Sequence, residues 1–522
     1  MAASSPDTTP ISGMDTHHSN RESCKCGRRS STPKIGEVMP HYNYDRLSTQ
    51  DNSFLLMESA NSHMHVSSTL IYEAGPLRTA DGGIDIDRIM RATESYLHLI
   101  PRYRQKLHFI PFFDHAVWVD DRHFKLDYHV RHTALPDPGT DEQLQALSSR
   151  VMAQQLDRAR PLWETWIIEG LSGDRFAVIT KIHHCMIDGS SGVDLAQIMM
   201  SPSPDRTLGE VPNFYPKPAP SRGDLVRDEV AYRLNLPIEA ARNITEFARQ
   251  SEDVVEEITK RAKILGSMFG MGLTASDSPL NGPLGPHRNF NWLETPLDDI
   301  KAIRRGLQCS VNDVVLTIVT GAIRAYMVGR GVDPAAKDFK ISAPVSVRRE
   351  EEKGQLGNRV SSWILQLPVE EEKPLEQLRK INETTQHLKS SNQALGVEMM
   401  MAVAEWTPAS LLSLGSQSSS GPVNSIVTNV PGPQIPLYMQ GAKLLSIYPQ
   451  VPLLQGMGLG FALMSYDGKI CWGFNANPDV VPDLPEFVEL VQQSLERVAG
   501  DAGVVLSAVS QQAFDLSGNV DT

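Results

Sequence analysis

The sequence has few cysteines, no long apolar run and no apolar leader at its start. Its 522 residues include five cysteines, an odd number and mostly far apart, which excludes a disulfide-stapled scaffold and is typical of a reducing compartment. No run approaches the roughly 18 to 20 apolar residues that a spanning helix needs. The first residues lack the apolar core of a secretory signal. We therefore expect a cytoplasmic globular protein that contacts a membrane at most from its surface.

Positive charge is also in deficit. The 49 Lys and Arg residues against 62 Asp and Glu give a net charge of -13, which argues against nucleic acid as the main ligand. Hydrophobic residues make up 41% of the chain, so the bulk is neither disordered nor fibrous. The length is two to three times that of a usual domain and predicts two domains or one large one.

Composition divides the chain into five segments. Residues 1–45 are rich in Ser, Thr, His, Pro and Arg without apolar periodicity, which predicts a disordered extension. Residues 46–200 alternate helical and strand-like patterns. Residues 201–286 begin with six prolines within twenty residues and continue with charged helical patterns, which indicate a linker and solvent-facing connector helices. A second α/β region covers 287–508, and a tail covers 509–522.

Apolar periodicity and turn residues predict the main elements. In the first half, residues 175–184 alternate as a strand that ends in two histidines. In the second half, the pattern predicts helices from Pro296, Ser310 and Pro485, strands near 339–345 and 362–367, and a hairpin over 458–475 that turns at Asp467-Gly468.

The most specific chemical signal is the sequence His-His-Cys-Met-Ile-Asp-Gly at residues 183–189. Adjacent side chains on a strand point to opposite faces, so only one histidine can face a given cleft and the other is buried support. A neutral imidazole can accept a proton from a hydroxyl. The carboxylate of Asp188 would fix the following loop, and Gly189 would permit a tight turn.

Three other interpretations of this motif stay open. A metal site is one, although neighbouring histidines diverge, whereas zinc-binding helices place their ligands four residues apart. Two histidines satisfied within a core, with Asp188 capping the next helix, is another. Cys185 beside the base invites a role as nucleophile, but a small apolar filler is the simpler interpretation.

The motif resembles the His-His-x-x-x-Asp-Gly signature of the acyltransferase superfamily that includes chloramphenicol acetyltransferase and peptide-synthetase condensation domains. Further stretches, in the same order from about residue 46 to 500, resemble the bacterial wax ester synthase/acyl-CoA:diacylglycerol acyltransferases. These stretches are Ser53-Phe54-Leu55 with Glu58, Met64-His65-Val66, Arg160-Pro161-Leu162-Trp163-Glu164, Val311-Asn312-Asp313-Val314-Val315, Gly357-Asn358-Arg359, Asn429-Val430-Pro431-Gly432-Pro433 and Val481-Pro482-Asp483.

The resemblance implies both a fold and an activity. The fold is α/β with mixed sheets: two chloramphenicol acetyltransferase-like domains joined by a helical connector, with an active-site tunnel between them. His184 is implied as the general base that activates diacylglycerol or a long-chain alcohol for attack on a fatty acyl-CoA, with His183 in support. The products are triacylglycerol or wax ester, used in neutral-lipid storage. No metal or other cofactor is implied, since acyl-CoA is a substrate.

The remaining motifs have structural as well as functional interpretations. Pro161, Leu162 and Trp163 are expected at the substrate channel or in the core. Ser310 and Asp313 match a capping box at a helix start, while the resemblance implies that Asn312 and Asp313 help to hold the site. The amide of Asn429 is a candidate donor to an oxyanion.

Two alternative functions and one partner surface complete the expectations. The alternatives are a related acyltransferase with a glycolipid or carrier-bound acceptor, and a lipid-binding paralogue without turnover. Because the expected acceptors dissolve in lipid, we expect peripheral contact with the inner membrane face or with lipid droplets. The connector over 223–270 is one candidate surface, although its charge pattern is typical of an ordinary solvated face.

Overall fold

Two six-stranded sheets form the framework of the protein. The computed structural model describes residues 44–186, 198–205, 209–235, 276–346, 360–390 and 423–507. The strands are β1 (Asp45–Arg46), β2 (His65–Glu73), β3 (Gln105–Ile110), β4 (His115–Asp120), β5 (Val130–Ala134), β6 (Trp163–Leu171), β7 (Arg175–His183), β8 (Asn281–Gly282), β9 (Asn289–Pro296), β10 (Phe339–Ser346), β11 (Val360–Leu367), β12 (Ser425–Pro431), β13 (Tyr438–Met439), β14 (Ala442–Gln450), β15 (Gly456–Met457), β16 (Leu459–Tyr466) and β17 (Lys469–Ala476).

The α-helices of the described ranges cover the sheets and their edges. They are α1 (Thr49–Leu56), α2 (Ile86–Tyr96), α3 (Leu126–His129), α4 (Asp141–Ala153), α5 (222–235), α6 (Leu297–Gly306), α7 (Val311–Gly329), α8 (Pro374–Ser390) and α9 (Leu484–Asp501). Short 3-10 turns occupy Gly75–Leu77, Leu97–Leu99, Pro101–Arg104, His184–Met186 and Pro334–Ala336.

The first sheet carries the histidine motif and has the order β13-β14-β2-β7-β6-β5. Strand β7 lies between β2 and β6 and pairs antiparallel with both. Its register with β2 places His65 opposite His183. Both faces of β7 are largely buried, as expected for a central strand rich in Ile, Val and Phe.

The second sheet has the order β11-β10-β12-β16-β17-β9. Its tight turn between β16 and β17 has positive φ at both Asp467 (41°) and Gly468 (82°), the geometry of the predicted two-residue hairpin. Helix α7 packs against α8 and α9 beside this sheet. The predicted helices and strands of the second half are therefore confirmed where the structure describes them.

Helix α7 combines length with low polarity. It is long and apolar enough to cross a membrane by composition, yet 72% of its most apolar window is buried inside the protein. Its burial against α8, α9 and the second sheet accounts for that composition as a core helix.

The first sheet is completed by residues from the second half of the chain. Strand β14 pairs antiparallel with β2, with Ile447 opposite Leu70, and it also packs on β16 and β17. Gly473 permits this approach, because a Cβ there would lie 1.9 Å from the carbonyl oxygen of Pro449. The segment predicted as the C-terminal domain, 287–508, thus contributes a hairpin, β13 and β14, to the sheet of the first half.

Helix α5 is the described part of the predicted connector, and it is docked rather than wholly solvent-facing. Leu225 is fully buried against the small sheet β1-β4-β3. The buried carboxylate of Glu229 accepts hydrogen bonds from Arg46 at 3.0 Å and from Arg233 at 2.9 Å. Charge alone predicted a solvated helix, but here the charges pair with each other and with the sheet.

Candidate active site

The histidine motif lies where β7 ends. The backbone N–H of His183 donates to the carbonyl of Leu162 at 3.0 Å, and that of His184 donates to the carbonyl of Met64 at 2.7 Å. The two histidines are therefore held by the chain segments on both sides of the strand. Of the predicted site residues, Asp188 and Gly189 lie outside the described residues, as does the 357–359 motif.

His183 is almost completely buried, with 1% of its surface exposed. Its Nδ1 accepts a hydrogen bond from the Cys185 backbone N–H at 3.1 Å. In the neutral ring this leaves the proton on Nε2, which lies 3.1 Å from Oε1 of Glu58. His183 has the position expected of a supporting residue, between the turn that carries His184 and a buried carboxylate.

Glu58 is the centre of a buried polar cluster. Only 2% of its side chain is exposed, and its carboxylate accepts hydrogen bonds from the Met64 N–H, at 2.8 Å, and from Arg158. Burial raises the pKa of this carboxyl, but the contacts with His183, Arg158 and Met64 outweigh it, and the pKa lies well below its usual range. The group is a carboxylate at neutral pH.

His184 is the less deeply buried histidine of the pair. Its ring packs against Phe54, with the centroids 4.1 Å apart. Burial, together with the neighbouring His183, lowers its pKa to about 4, so the ring is neutral near pH 7 and can accept a proton. Within the described ranges its Nδ1 is buried without a hydrogen-bond partner.

Cys185 has the properties of a core residue. It is 3% exposed and packs in the same apolar cluster as Leu47 and Leu55. Burial raises the pKa of its thiol well above the ordinary value, which keeps the group protonated. A protonated, buried thiol is a poor nucleophile, and the geometry favours the role of apolar filler.

The segment from Pro161 to Trp163 supports the histidine strand. All three residues are buried, and Leu162 supplies the carbonyl that holds His183. The Trp163 ring lies between those of Tyr103 and His129, at centroid distances of 4.5 and 4.7 Å. Its indole N–H donates to the Tyr103 carbonyl at 2.9 Å. The structure thus places this motif in the core behind the site.

Asp313 forms the capping box that its sequence context predicted. Its N–H donates to Ser310 Oγ at 3.1 Å, and its carboxylate accepts the Ser310 N–H at 3.0 Å. The same carboxylate accepts hydrogen bonds from Asn382 at 3.0 Å and Thr385 at 2.9 Å on α8. Asp313 therefore joins α7 to α8, and Asn312 lies in the same first turn.

Asn429 lies on β12, opposite Leu463 of β16, and is partly exposed. Nothing in its described surroundings joins it to the histidines, so a role with an oxyanion stays a prediction. Across the described ranges, no group of three or more His, Cys, Asp or Glu residues is arranged to hold a metal ion.

Sequence reasoning missed the role of the residues behind the histidines. Glu58 belonged to a quoted motif, but nothing in its spacing indicated a contact with His183, 125 positions away. His65 lies opposite His183 on β2, and its Nε2 is 3.9 Å from Glu58 Oε1. The motifs around residues 53–58 and 64–66 thus converge on the histidine strand. Only the pairing of β2 with β7 brings them there.

Comparison with known proteins decides the family. The wax ester synthase/diacylglycerol acyltransferase catalytic domain matches residues 47–315, and the corresponding C-terminal domain matches 356–499. A probable diacylglycerol O-acyltransferase of Mycobacterium tuberculosis, tgs1, is 30% identical over 464 residues, which cover 87% of this chain and 96% of the relative. The chain belongs to the wax ester synthase/diacylglycerol acyltransferase family. It is an acyltransferase, as the resemblance implied.

Solved structures agree on the fold of this family member. The wax ester synthase/diacylglycerol acyltransferase from Marinobacter aquaeolei VT8 is 24% identical, with a TM-score of 0.62 over 88% of this chain and all of that one. The first condensation domain of the CDA synthetase is 16% identical, with a TM-score of 0.57 over 90% and 98% of the two chains. The expected two-domain, mixed α/β architecture is confirmed.

Proposed function

We propose that this acyltransferase moves a fatty acyl group from acyl-CoA to the hydroxyl of diacylglycerol or a long-chain alcohol, with His184 as general base. The observation that carries the proposal is the neutral ring of His184 at the end of β7. Its pKa is lowered to about 4, and its backbone is held by Met64. Diacylglycerol is the acceptor in the names of its relatives.

The proposed reaction needs one base and no cofactor. His184 takes the proton of the acceptor hydroxyl while the hydroxyl oxygen of the acceptor attacks the thioester carbonyl. The C–S bond then breaks, the ester forms, and the CoA sulfur leaves with the proton returned from His184. A positioned base of this kind contributes about 10² to 10⁴ in rate, and alignment of the two substrates adds further acceleration.

His183 and Glu58 act in this scheme as positioning residues. The Glu58 carboxylate faces His183 Nε2, and His183 Nδ1 in turn accepts the N–H of Cys185, the residue after His184. This chain of contacts fixes the turn on which the base stands. Asp188 and Gly189 are proposed to hold the following loop.

The place of action follows from the proposed acceptors. Diacylglycerol, long alcohols and the ester products dissolve in lipid, so we propose that the enzyme works in the cytoplasm at the inner membrane face or on lipid droplets. The mechanism requires neither nucleic acid nor a second protein.

The test is thiol release from palmitoyl-CoA with hexadecanol or with diacylglycerol as acceptor. His184→Ala is expected to lose about 10² to 10⁴ of the acceptor-dependent rate, with unchanged circular dichroism. Cys185→Ala is the matched control in the same turn and should retain the acceptor-dependent rate of thiol release. A folded His184→Ala protein with normal turnover would refute the assignment of the base.

The same assay separates the two alternative functions. Wild-type protein that releases thiol with neither acceptor, but does so with a glycolipid or a carrier-bound acceptor, would be a related acyltransferase. Protein that binds acyl-CoA yet releases no thiol with any acceptor would be a lipid-binding paralogue.

A further inference from the structure

The turn between β3 and β4 carries an exposed phenylalanine in an unfavourable backbone conformation. The Phe113 N–H donates to the Ile110 carbonyl at 3.3 Å, which makes Pro111 and Phe112 the central residues of a β-turn. Phe112 has a φ of 71° and is 94% exposed. Its position, the third of a turn with Pro second, normally takes Gly or Asn. Phe112 therefore gains no packing in the folded protein to offset its backbone strain.

A second exposed aromatic side chain lies on the same hairpin, since Phe109 on β3 is 44% exposed. Helix α5 packs beside the turn, with the Arg233 guanidinium 4.9 Å from the centre of the Phe113 ring. We call Phe109 and Phe112 the hairpin-tip patch.

The patch stands on rigid elements. The buried Glu229 carboxylate binds Arg46 on β1 and Arg233 on α5, which fastens the helix to the small sheet. The turn is also joined to the active site through α1. Asn52 on α1 bonds to the backbone of Asp114, at 3.4 Å, and of Ala116, at 3.0 Å. Two residues further along the same helix, Phe54 packs on the ring of His184.

We propose that the hairpin-tip patch inserts into the surface of a phospholipid bilayer that holds the lipid acceptor. The proposal rests on the proposed function, since that function places the acceptor in a membrane. Exposed aromatic rings on a rigid turn are suited to the boundary between headgroups and acyl chains. A bilayer would also supply the apolar environment that Phe112 lacks in the folded protein.

A second copy of the chain is a poorer occupant. An aromatic side chain buries about 150 to 250 Å² at most, so the two rings of the patch supply only a few hundred Å². A stable interface between proteins needs about 800 Å² on each partner. Insertion into lipid requires no such area, because each buried apolar group contributes independently.

The first test measures binding to vesicles of phosphatidylcholine with and without dioleoylglycerol. A zwitterionic lipid is chosen because the exposed Asp114 lies beside Phe112. Phe112→Asn should weaken flotation with the vesicles about tenfold or more, the effect of withdrawing one buried aromatic side chain. Phe112→Trp should retain binding. Tyr215→Asn is the matched control, since Tyr215 is 81% exposed in the linker outside the patch.

Stability distinguishes insertion from a role in folding. Asn tolerates positive φ, so Phe112→Asn should leave the melting temperature unchanged or raise it while binding is lost. A lowered melting temperature would show that Phe112 supports the fold, and unchanged flotation would show that the patch is not inserted. Wild-type dimers that dissociate in Phe112→Asn would identify the patch as an interface between copies. Each of these three outcomes overturns the proposal.

Activity assays keep this proposal separate from the proposed function. Phe112→Asn should lose turnover with vesicle-borne dioleoylglycerol and keep it with a short, water-soluble alcohol. Equal turnover of the variant on vesicles would contradict the inserted patch. If wild type is inactive with both acceptors, the proposed function fails. Vesicle flotation then still tests whether the patch inserts into the bilayer.

Discussion

At the scale of single residues, the two adjacent histidines differ in almost every physical respect. His183 is buried, and both of its ring nitrogens face polar groups, the Cys185 N–H and the Glu58 carboxylate. His184 packs on Phe54, and burial keeps its ring neutral. The alternation of side chains along a strand separates the two by direction, and the turn after His183 completes the separation.

Glu58→Gln tests the support behind the base. Loss of the negative charge should destabilise the protein by about 1 to 3 kcal/mol, because Arg158 and His183 lose a charged partner. Turnover should fall about tenfold with little change in KM, since His183 then holds the turn less firmly. Glu73→Gln, at the exposed end of β2, should change stability by less than about 0.5 kcal/mol. A Glu58→Gln enzyme with normal kcat would contradict the positioning role.

The pH dependence of kcat/KM reports on His184. Because burial lowers its pKa from 6.5 to about 4, the base should remain unprotonated well below neutral pH. The acidic limb of the profile is therefore expected near pH 4 to 5. A limb at the ordinary histidine value of 6.5 would show that the base is not this buried ring.

Stability should depend on pH through the same group. In the unfolded chain His184 regains its ordinary pKa of 6.5, so between pH 6.5 and about 4 the unfolded state binds a proton that the folded state does not. The free energy of unfolding is then complete above pH 6.5 and falls as pH decreases toward 4. Buried His115, with its pKa lowered to about 4, acts in the same direction. His184→Ala should make this slope shallower in urea unfolding, and an unchanged slope would contradict the assignment.

Residue roles were predictable where the chemistry lies within one short segment. The capping box at Ser310 and Asp313 and the buried, apolar setting of Cys185 follow from local pattern. The proposal of His184 as the base follows from the family motif. The Glu58 cluster does not, because it needs the pairing of β2 with β7 and the docking of the 153–160 segment beside Glu58. No periodicity encodes those contacts.

At the scale of secondary-structure elements, local signals placed the helices and strands of the second half well. The expected helix starts lie within a residue or two of those observed at Leu297, Val311 and Leu484, since caps and prolines act locally. The docking of α5 was not predicted. Its charged residues read as a solvated face, whereas Glu229 is buried between two arginines of different elements.

Asp313→Ala tests the joint between α7 and α8. The change removes a capping box and leaves Asn382 and Thr385 without their acceptor. We expect a loss of about 3 kcal/mol in the free energy of unfolding, from the cap and the two hydrogen bonds. Asp298→Ala, in the exposed first turn of α6, is the matched control and should lose about 0.5 kcal/mol. Equal effects of the two changes in urea unfolding would show that the joint is unimportant.

At the scale of the whole molecule, β14 makes the two halves interdependent. It pairs with β2 of the first sheet and packs on β16 and β17 of the second. Composition predicted two consecutive domains. It contains no signal that a strand of the second half would join the sheet of the first half. A strand's partner is decided by sheet geometry rather than by its own sequence.

Ile447→Ala tests this interdependence. Ile447 is buried on β14 opposite Leu70, and its truncation should destabilise the protein by about 2 to 5 kcal/mol. Because β14 belongs to the first sheet and packs on two strands of the second, calorimetry should show one unfolding transition that shifts to lower temperature without splitting. Ile435→Ala, at a 52% exposed position, should leave the transition in place. Two separate transitions in wild type would contradict the coupling.

The pairing of β14 with β2 also constrains the order in which the first sheet can form during translation. Strand β2 ends at residue 73 and β14 begins at residue 442, so 442 − 73 = 369 residues must be added before β2 meets its second neighbour. At about 5 to 20 residues per second, this takes roughly 20 to 70 seconds. Throughout that interval the nascent chain has an open sheet edge on β2, the strand that pairs with the one ending at His183, and exposed edges of this kind promote aggregation. Slower translation or loss of chaperones should therefore reduce the yield of soluble enzyme before any effect on its chemistry appears.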